Sequence, residues 1–376
     1  MKKAKLVLED NTTFEGEAAG YSKSRAGEVV FATGMVGYDL SLTDPSYRGQ
    51  ILNFTYPLIG NWGVPPKNFW ESEKIQVAGV IISDLTTKPS HWQSLQTLND
   101  WLIEQKVPAI VGIDTRALTQ KLRQKGVMLG KIIIGKDVDF IDPNERNLVA
   151  EVSVSEPRVH QPDSSLTTLN SSLCIGLLNC GAKKNIIRSL TARGVTVYEL
   201  PWNFDPFENN LKLDGLVISN GPGNPKMARE SIAIIKKALN RKIPTFGICL
   251  GNQLLALAAG GNTYKLKFGH RAQNQPTIQV EDPGEIRRVE NPDETRRVGA
   301  KRCYITTQNH GYTVDETKLP GGFIRWFYNA NDNTNEGIIH KTLPFFSVQF
   351  HPEAAPGPTD TKWLFDFFLN VVKKTK

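Results

Sequence analysis

The chain has 376 residues, 40% hydrophobic and 22% charged. That is an ordinary globular balance, which excludes a fibrous repeat or wholesale disorder and predicts two or three domains. The net charge is +7, from 45 Lys and Arg against 38 Asp and Glu. The densest basic group (Arg287-Arg288, Arg296-Arg297, Lys301-Arg302) is interleaved with Glu285, Glu290, Asp293 and Glu294 and lacks alternating aromatics, which argues against a nucleic-acid partner.

The first half reads as β-rich α+β. Residues 5–8 and 13–15 flank Glu9-Asp10-Asn11-Thr12 as a hairpin, and residues 28–33, 50–55 and 76–82 are further strand candidates. Residues 97–105 and 115–125 carry helical spacing, with Asp114 or Thr115 as N-cap and Gly126 as the stop. Residues 130–137 have the spacing of a Walker A loop. Asp137 stands where a magnesium-binding hydroxyl belongs, and three consecutive isoleucines favour a buried strand instead. Periodicity fades over 141–172, where Pro143, Pro157, Pro162 and a Ser/Thr/Asn-rich stretch mark a linker.

Strand–helix alternation follows. Residues 174–180, 195–200, 215–219 and 244–249 are apolar strands, and 182–193, 227–240 and 250–259 are helices. This order predicts a doubly wound parallel sheet. Domains are expected at 1–150 and 173–376, joined by a linker at 151–172. No apolar run approaches the roughly 18–20 residues of a membrane span, and the N-terminal apolar stretch ends at Glu9-Asp10, too soon for a signal peptide. Four irregularly spaced cysteines (Cys174, Cys180, Cys249, Cys303) fit neither a disulfide framework nor a zinc site. We therefore expect a soluble protein of a reducing compartment, without membrane association or a metal.

Chemistry concentrates in the second half. Gly247-Ile248-Cys249-Leu250-Gly251 has the Gly-x-nucleophile-x-Gly form of an elbow between a strand and a helix. A cysteine there feels the positive end of the helix, which favours the reactive thiolate. An isolated cysteine is usually a small core residue, and Cys174, Cys180 and Cys303 are read so. A thiol needs a base and the base an orienting acceptor. His351 follows the apolar run 345–350, and Glu353 comes two positions later in His-Pro-Glu. Ser219-Asn220-Gly221-Pro222-Gly223-Asn224-Pro225 is a turn whose amides, with that of Leu250, are placed to stabilise an oxyanion. Gly221-Pro222-Gly223 lacks the third glycine of a dinucleotide fingerprint.

These pieces in this order resemble a triad (class I) glutamine amidotransferase. Thr33-Gly34-Met35-Val36-Gly37-Tyr38, Leu42-Thr43-Asp44-Pro45-Ser46-Tyr47-Arg48-Gly49-Gln50, Thr55-Tyr56-Pro57-Leu58-Ile59-Gly60-Asn61 and Gly112-Ile113-Asp114-Thr115-Arg116-Ala117-Leu118 resemble the N-terminal domain of small subunits of carbamoyl-phosphate synthetase. Lys267-Phe268-Gly269-His270, Gln308-Asn309-His310-Gly311 and His351-Pro352-Glu353-Ala354-Ala355-Pro356-Gly357-Pro358 extend the likeness over nearly the whole chain.

The resemblance implies a flavodoxin-like, mostly parallel sheet and a Cys249–His351–Glu353 triad hydrolysing glutamine through a glutamyl thioester. Gly223 and Leu250 would supply oxyanion amides. Ser46, Gly221, Gly223, Leu250, Gln253, Asn309, Gly311 and Tyr312 would bind L-glutamine. It implies no cofactor in this chain, and a large-subunit partner that carries ATP and magnesium and makes carbamoyl phosphate for arginine and pyrimidine synthesis, in heterodimers or higher assemblies. The setting would be the cytoplasm, or the plastid stroma for an organelle-encoded chain. Asn252 stands where the family commonly has His, Asn179 where Asp is usual (a change expected to loosen a turn), and Leu40-Ser41 where Glu-Ile is usual, and residues 281–298 form an extra charged segment. His310 is expected to give a supporting hydrogen bond. An amidotransferase serving another synthase, or a non-catalytic docking subunit, are the competing readings.

Overall fold

The structure is a computed structural model and describes residues 2–162, 173–280 and 302–376. The charged segment at 281–298 and the Ser/Thr/Asn-rich part of the linker lie outside the described residues. The chain forms two compact units, Met1–Leu148 with Leu266–Ala272, and Val149–Lys265 with Gln273–Lys376.

The first unit is built on a closed barrel. In order around it run Lys3–Leu8, Thr13–Gly20, Pro108–Val111, Gly79–Ile82, Gln50–Phe54, Arg25–Ala32 and Met128–Ile133. Closure removes the exposed edges that an open β-sheet must protect. Because successive strand side chains point to opposite faces, neighbours feed separate cores. Val29, Ile51 and Ile81 join Leu6, Leu118 and Leu122 in one, while Val30, Leu52 and Val80 join Leu98, Trp101 and Leu102 in the other. The helices behave as their caps predict: Asp114 accepts the amide of Ala117 at 2.8 Å to start Thr115–Lys125, and Thr97 accepts that of Asp100 at 3.1 Å to start Leu98–Glu104. The first half of the Walker-like spacing, 130–133, falls on the barrel strand Met128–Ile133.

The second unit carries five parallel strands in the order Thr196–Pro201, Cys174–Asn179, Gly215–Ile218, Thr245–Ile248 and Phe345–Val348. Helices Lys184–Thr191 and Trp363–Thr375 cover one face: Ile186, Leu190, Phe365 and Phe368 pack with Leu177, Val217 and Phe246. Helices Arg229–Asn240 and Leu250–Ala258 cover the other, where Ile234, Ile235, Leu254 and Leu255 meet Leu178, Leu216 and Ile218. The sheet is thus doubly wound, as the sequence predicts. Two features add to that reading. Asn335–His340 and Phe323–Asn329 continue the sheet antiparallel beyond Phe345–Val348. Within the Pro-rich stretch, Leu148–Val152 is helical and Arg158–His160 pairs antiparallel with Thr196–Pro201, so part of the expected linker is an edge strand of the second unit. Among the described residues no helix is long and apolar enough to cross a membrane.

Candidate active site

The nucleophile stands where Thr245–Ile248 ends and Leu250–Ala258 begins. Cys249 is the N-cap of that helix, with φ 55° and ψ −103°, a conformation disfavoured for a residue with a Cβ. The strain is imposed by packing. A Cβ at Gly251 would lie 2.2 Å from the carbonyl oxygen of Ile218, and one at Gly247 would lie 2.4 Å from the carbonyl oxygen of Gly251. Glycine at both places lets the helix sit directly on the sheet, and the chain can turn only by bending sharply at Cys249. Its amide donates to Val348 O at 2.8 Å, which ties the elbow to the strand that leads to the base.

His351 and Cys249 are both about 2% exposed, and Glu353 is fully buried. His351 Nδ1 lies 2.6 Å from Glu353 Oε1. A carboxylate only accepts, so Nδ1 carries a proton, and Nε2 is the ring position left to exchange a proton with the thiol. That Nε2 is buried, and the group it interacts with is the Cys249 side chain. Burial opposes a charge on the ring, but the Glu353 carboxylate and the Cys249 sulfur outweigh it, against Lys183, and hold His351 protonated well above the ordinary imidazole range. Glu353 is held well below the carboxylate range: its own burial works the other way, and Lys183 and His351 overcome it.

The sulfur itself has two polar groups close by. Sγ is 3.6 Å from the carbonyl oxygen of Asn309, and Gln349 Nε2 is 3.7 Å from Sγ. By contrast, burial pushes the Cys180 thiol up to about 12, which fits its expected place as a core residue, whereas Cys174 is only partly buried and Cys303, expected in the core as well, is exposed.

The remaining expected residues fall as follows. Leu250 is the first helical residue after the nucleophile. Gly221 and Gly223 lie in the turn after Gly215–Ile218, where Ser219 Oγ accepts the Cys180 amide at 2.9 Å and Asn220 Oδ1 accepts the Lys183 amide at 3.0 Å. Asn309, Gly311 and Tyr312 lie on Arg302–Val314. Gln253 is buried, and its Nε2 donates to Tyr312 O at 2.8 Å and Gln349 Oε1 at 3.2 Å, which leaves Oε1 for any ligand. His310 donates Nδ1–H to Tyr312 O at 2.9 Å, the kind of supporting bond expected of it. Hydrogen bonds through Gln349 connect Cys249, Gln253, Asn309 and Tyr312, and the His351–Glu353 pair lies in the same unit. Ser46 belongs to the other unit, where it is buried and its amide donates to Asp44 Oδ1 at 2.9 Å.

Three contributors are invisible in the motif reading. Lys183, only 2% exposed, places Nζ 3.1 Å from Glu353 Oε1 and donates to Ala354 O. Asn185 Nδ2 donates to Glu353 O. Gln349 reaches the sulfur. The usable signal for Lys183 was its place just past the C-terminal end of a parallel strand, where such sheets gather functional groups. Asn179 corrects an expectation. The turn after its strand is not loosened, because its Oδ1 accepts the amides of Gly181 at 2.8 Å and Ala182 at 2.9 Å.

A strained thiol elbow served by a buried His–Glu pair on a doubly wound sheet defines a class, and the comparisons agree with it: residues 176–371 match the glutamine amidotransferase class-I family. Residues 6–132 match the carbamoyl-phosphate synthase small chain, CPSase domain. The carbamoyl phosphate synthase arginine-specific small chain of Neurospora crassa is 43% identical over 388 residues, covering 99% of this chain and 80% of that protein. The multifunctional protein CAD of Squalus acanthias is 45% identical over 387 residues, 99% of this chain and 16% of that protein. The multifunctional protein pyr-3 of Neurospora crassa is 44% identical over 406 residues, 98% and 21% respectively. The chain belongs to the carbamoyl-phosphate synthase small-chain family. It spans only about a fifth of the length of the multifunctional relatives.

Proposed function

We propose that this chain hydrolyses the side-chain amide of L-glutamine and delivers the ammonia to a large synthetase subunit that makes carbamoyl phosphate. The observation that carries the reading is the His351 ring, with Nδ1 committed to Glu353 at 2.6 Å and Nε2 buried and left to the side chain of the strained Cys249. That is a ring prepared to hold the thiol's proton as an imidazolium, charge-balanced by Glu353, and to hand it on.

In this mechanism Cys249 gives its proton to His351 and the thiolate attacks the carboxamide carbon. The amides of Gly223 and Leu250 receive the developing oxyanion. As the intermediate collapses, the C–N bond breaks and the His351 imidazolium protonates the departing nitrogen, leaving ammonia and a glutamyl thioester. Water, deprotonated by His351, attacks the thioester, and glutamate leaves as the sulfur recovers its proton. Glu353 and Lys183 keep their charges throughout. Glu353 stabilises the imidazolium in both half-reactions.

Ammonia released into neutral water becomes largely ammonium, which has no lone pair for attack, so consumption by an associated subunit follows from the chemistry. ATP and magnesium belong to that partner in this reading. Neither a nucleic acid nor a membrane enters it. Four unpaired cysteines fit a reducing setting such as the cytoplasm or plastid stroma. The test is Cys249→Ala combined with the large subunit. Glutamine-dependent carbamoyl phosphate formation should fall by at least about a thousandfold while synthesis from added ammonium persists. Retained glutamine-dependent synthesis would show that another nucleophile does the work.

A further inference from the structure

Gln349 lies outside the triad, yet its side chain aims a hydrogen-bond donor at the nucleophile. The register puts it there: Ile248 pairs with Val348 across parallel strands, so the residues that follow each, Cys249 and Gln349, emerge together. The backbone of Gln349 is tied on its other side, where its amide donates to Glu336 O at 2.8 Å. Its side chain is completely buried.

The direction of the carboxamide is fixed. Oε1 accepts from Asn252 Nδ2 at 3.1 Å and Gln253 Nε2 at 3.2 Å. Asn252 cannot flip without cost, because its own Oδ1 accepts from Ser347 Oγ at 2.8 Å. Gln253 is held by Tyr312 O. With two donors on Oε1, the amino group of Gln349 has to face the other way, and there it meets Sγ at 3.7 Å.

The sulfur also has the Asn309 carbonyl oxygen at 3.6 Å. A carbonyl accepts from a thiol but repels a thiolate. An N–H donor does the reverse, and its bond strengthens once the acceptor is ionised. From this arrangement, and resting on the proposed glutaminase reaction, we infer that Gln349 is a further catalytic residue: its Nε2–H stabilises and positions the Cys249 thiolate, and Asn252 and Gln253 are the positioning residues that hold it. The family's usual His at 252 is replaced here by a residue that still offers an N–H to Oε1.

The test compares wild type with Gln349→Met, which keeps the length and removes the donor. Two readouts are taken: kcat and KM for glutamine, and the rate at which iodoacetamide alkylates Cys249 relative to the exposed Cys303, followed by peptide mass spectrometry. Loss of a hydrogen bond to an ionised sulfur predicts a roughly ten- to hundredfold fall in kcat and in the alkylation ratio, with KM changed by less than about threefold. Gln349→Asn, which withdraws the N–H by one methylene, must show the same direction and serves if the Met variant does not fold. Asn252→Leu should lower the ratio severalfold and Asn252→His restore it. A soluble Gln349→Met or Gln349→Asn protein with the wild-type ratio and kcat overturns the inference. Wild-type protein that hydrolyses no glutamine sinks the proposed function instead, and the alkylation ratio, which needs no glutamine, still decides the role of Gln349.

Discussion

The elbow at Cys249 and the turn at His351–Glu353 solve opposite problems. The elbow is shaped by backbone: glycines within two residues of the sulfur let a helix press on a strand, and the chain has one way to bend. The base turn is shaped by charge. A carboxylate that water would otherwise solvate is buried completely, and it stays ionised because Lys183, His351 and nearby backbone surround it. The lesson is that a nucleophile can be positioned by local sterics, whereas a buried base must be positioned by partners brought from elsewhere in the fold.

The strongest way to break this contrast is to remove the charge at the base turn. Glu353→Gln leaves the Lys183 ammonium and the His351 ring buried without the carboxylate, and breaking a buried ion pair costs about 3–5 kcal/mol. Denaturant unfolding at pH 7 should show that loss. The pH dependence has a definite sign. Glu353 titrates below its ordinary value of 4.5 in the folded protein, so its contribution is complete above that value and disappears as pH falls toward the folded value. His351 titrates above its ordinary 6.5, so the part that depends on the imidazolium is complete below 6.5 and is lost as pH rises through the raised value. The gap between wild type and Glu353→Gln should therefore be widest between about pH 4.5 and 6.5 and shrink in acid and in alkali. A gap that is flat from pH 3 to 9 would mean the pair is not ionised in the fold.

The matching attack on the elbow is Gly251→Ala. Its methyl would lie 2.2 Å from a carbonyl oxygen of the adjacent strand, backbone that cannot rotate away. Overpacking of this kind costs roughly 1–3 kcal/mol. Because the helix must lift, the sulfur and the Leu250 amide should move with it. A lowered unfolding midpoint together with a kcat loss larger than the stability loss explains would separate this from simple destabilisation. Wild-type kcat in Gly251→Ala would show that the elbow tolerates another shape.

The same difference explains what the sequence could reveal. Gly247, Cys249 and Gly251 fall within five residues, and His351 and Glu353 are two apart, so both features could be read directly. The parallel core was legible too, since its strands alternate with helices. The triad's partners were not: Lys183 matters through an ion pair with a residue distant in sequence, and Gln349 through the register of Phe345–Val348 against Thr245–Ile248. Nor was barrel closure, which depends on Met128–Ile133 meeting both Lys3–Leu8 and Arg25–Ala32. The antiparallel arm is another case. Arg158–His160 sits amid prolines that locally signal a linker, and only its pairing with Thr196–Pro201 makes it a strand.

The smallest effect, and the sharpest on partnership, concerns Asn179. Its Oδ1 closes the turn toward Lys183, a task that the family's usual Asp would also perform. Its Nδ2, however, donates to Glu199 Oε1 at 2.6 Å, and Glu199 is buried with His160 at 2.9 Å on its other oxygen. Asn179→Asp keeps the turn acceptor but sets a carboxylate against a carboxylate. The loss at neutral pH should be about 1 kcal/mol for the missing hydrogen bond, with repulsion added. Two carboxyls in contact share a proton to higher pH than either alone. The variant's folded state thus binds more protons than its unfolded state, and its deficit grows as pH rises from 4 to 8. Adding Glu199→Gln to Asn179→Asp should remove that slope and recover most of the stability. If Asn179→Asp alone is as stable as wild type at pH 8, the asparagine and Glu199 are neighbours without being partners.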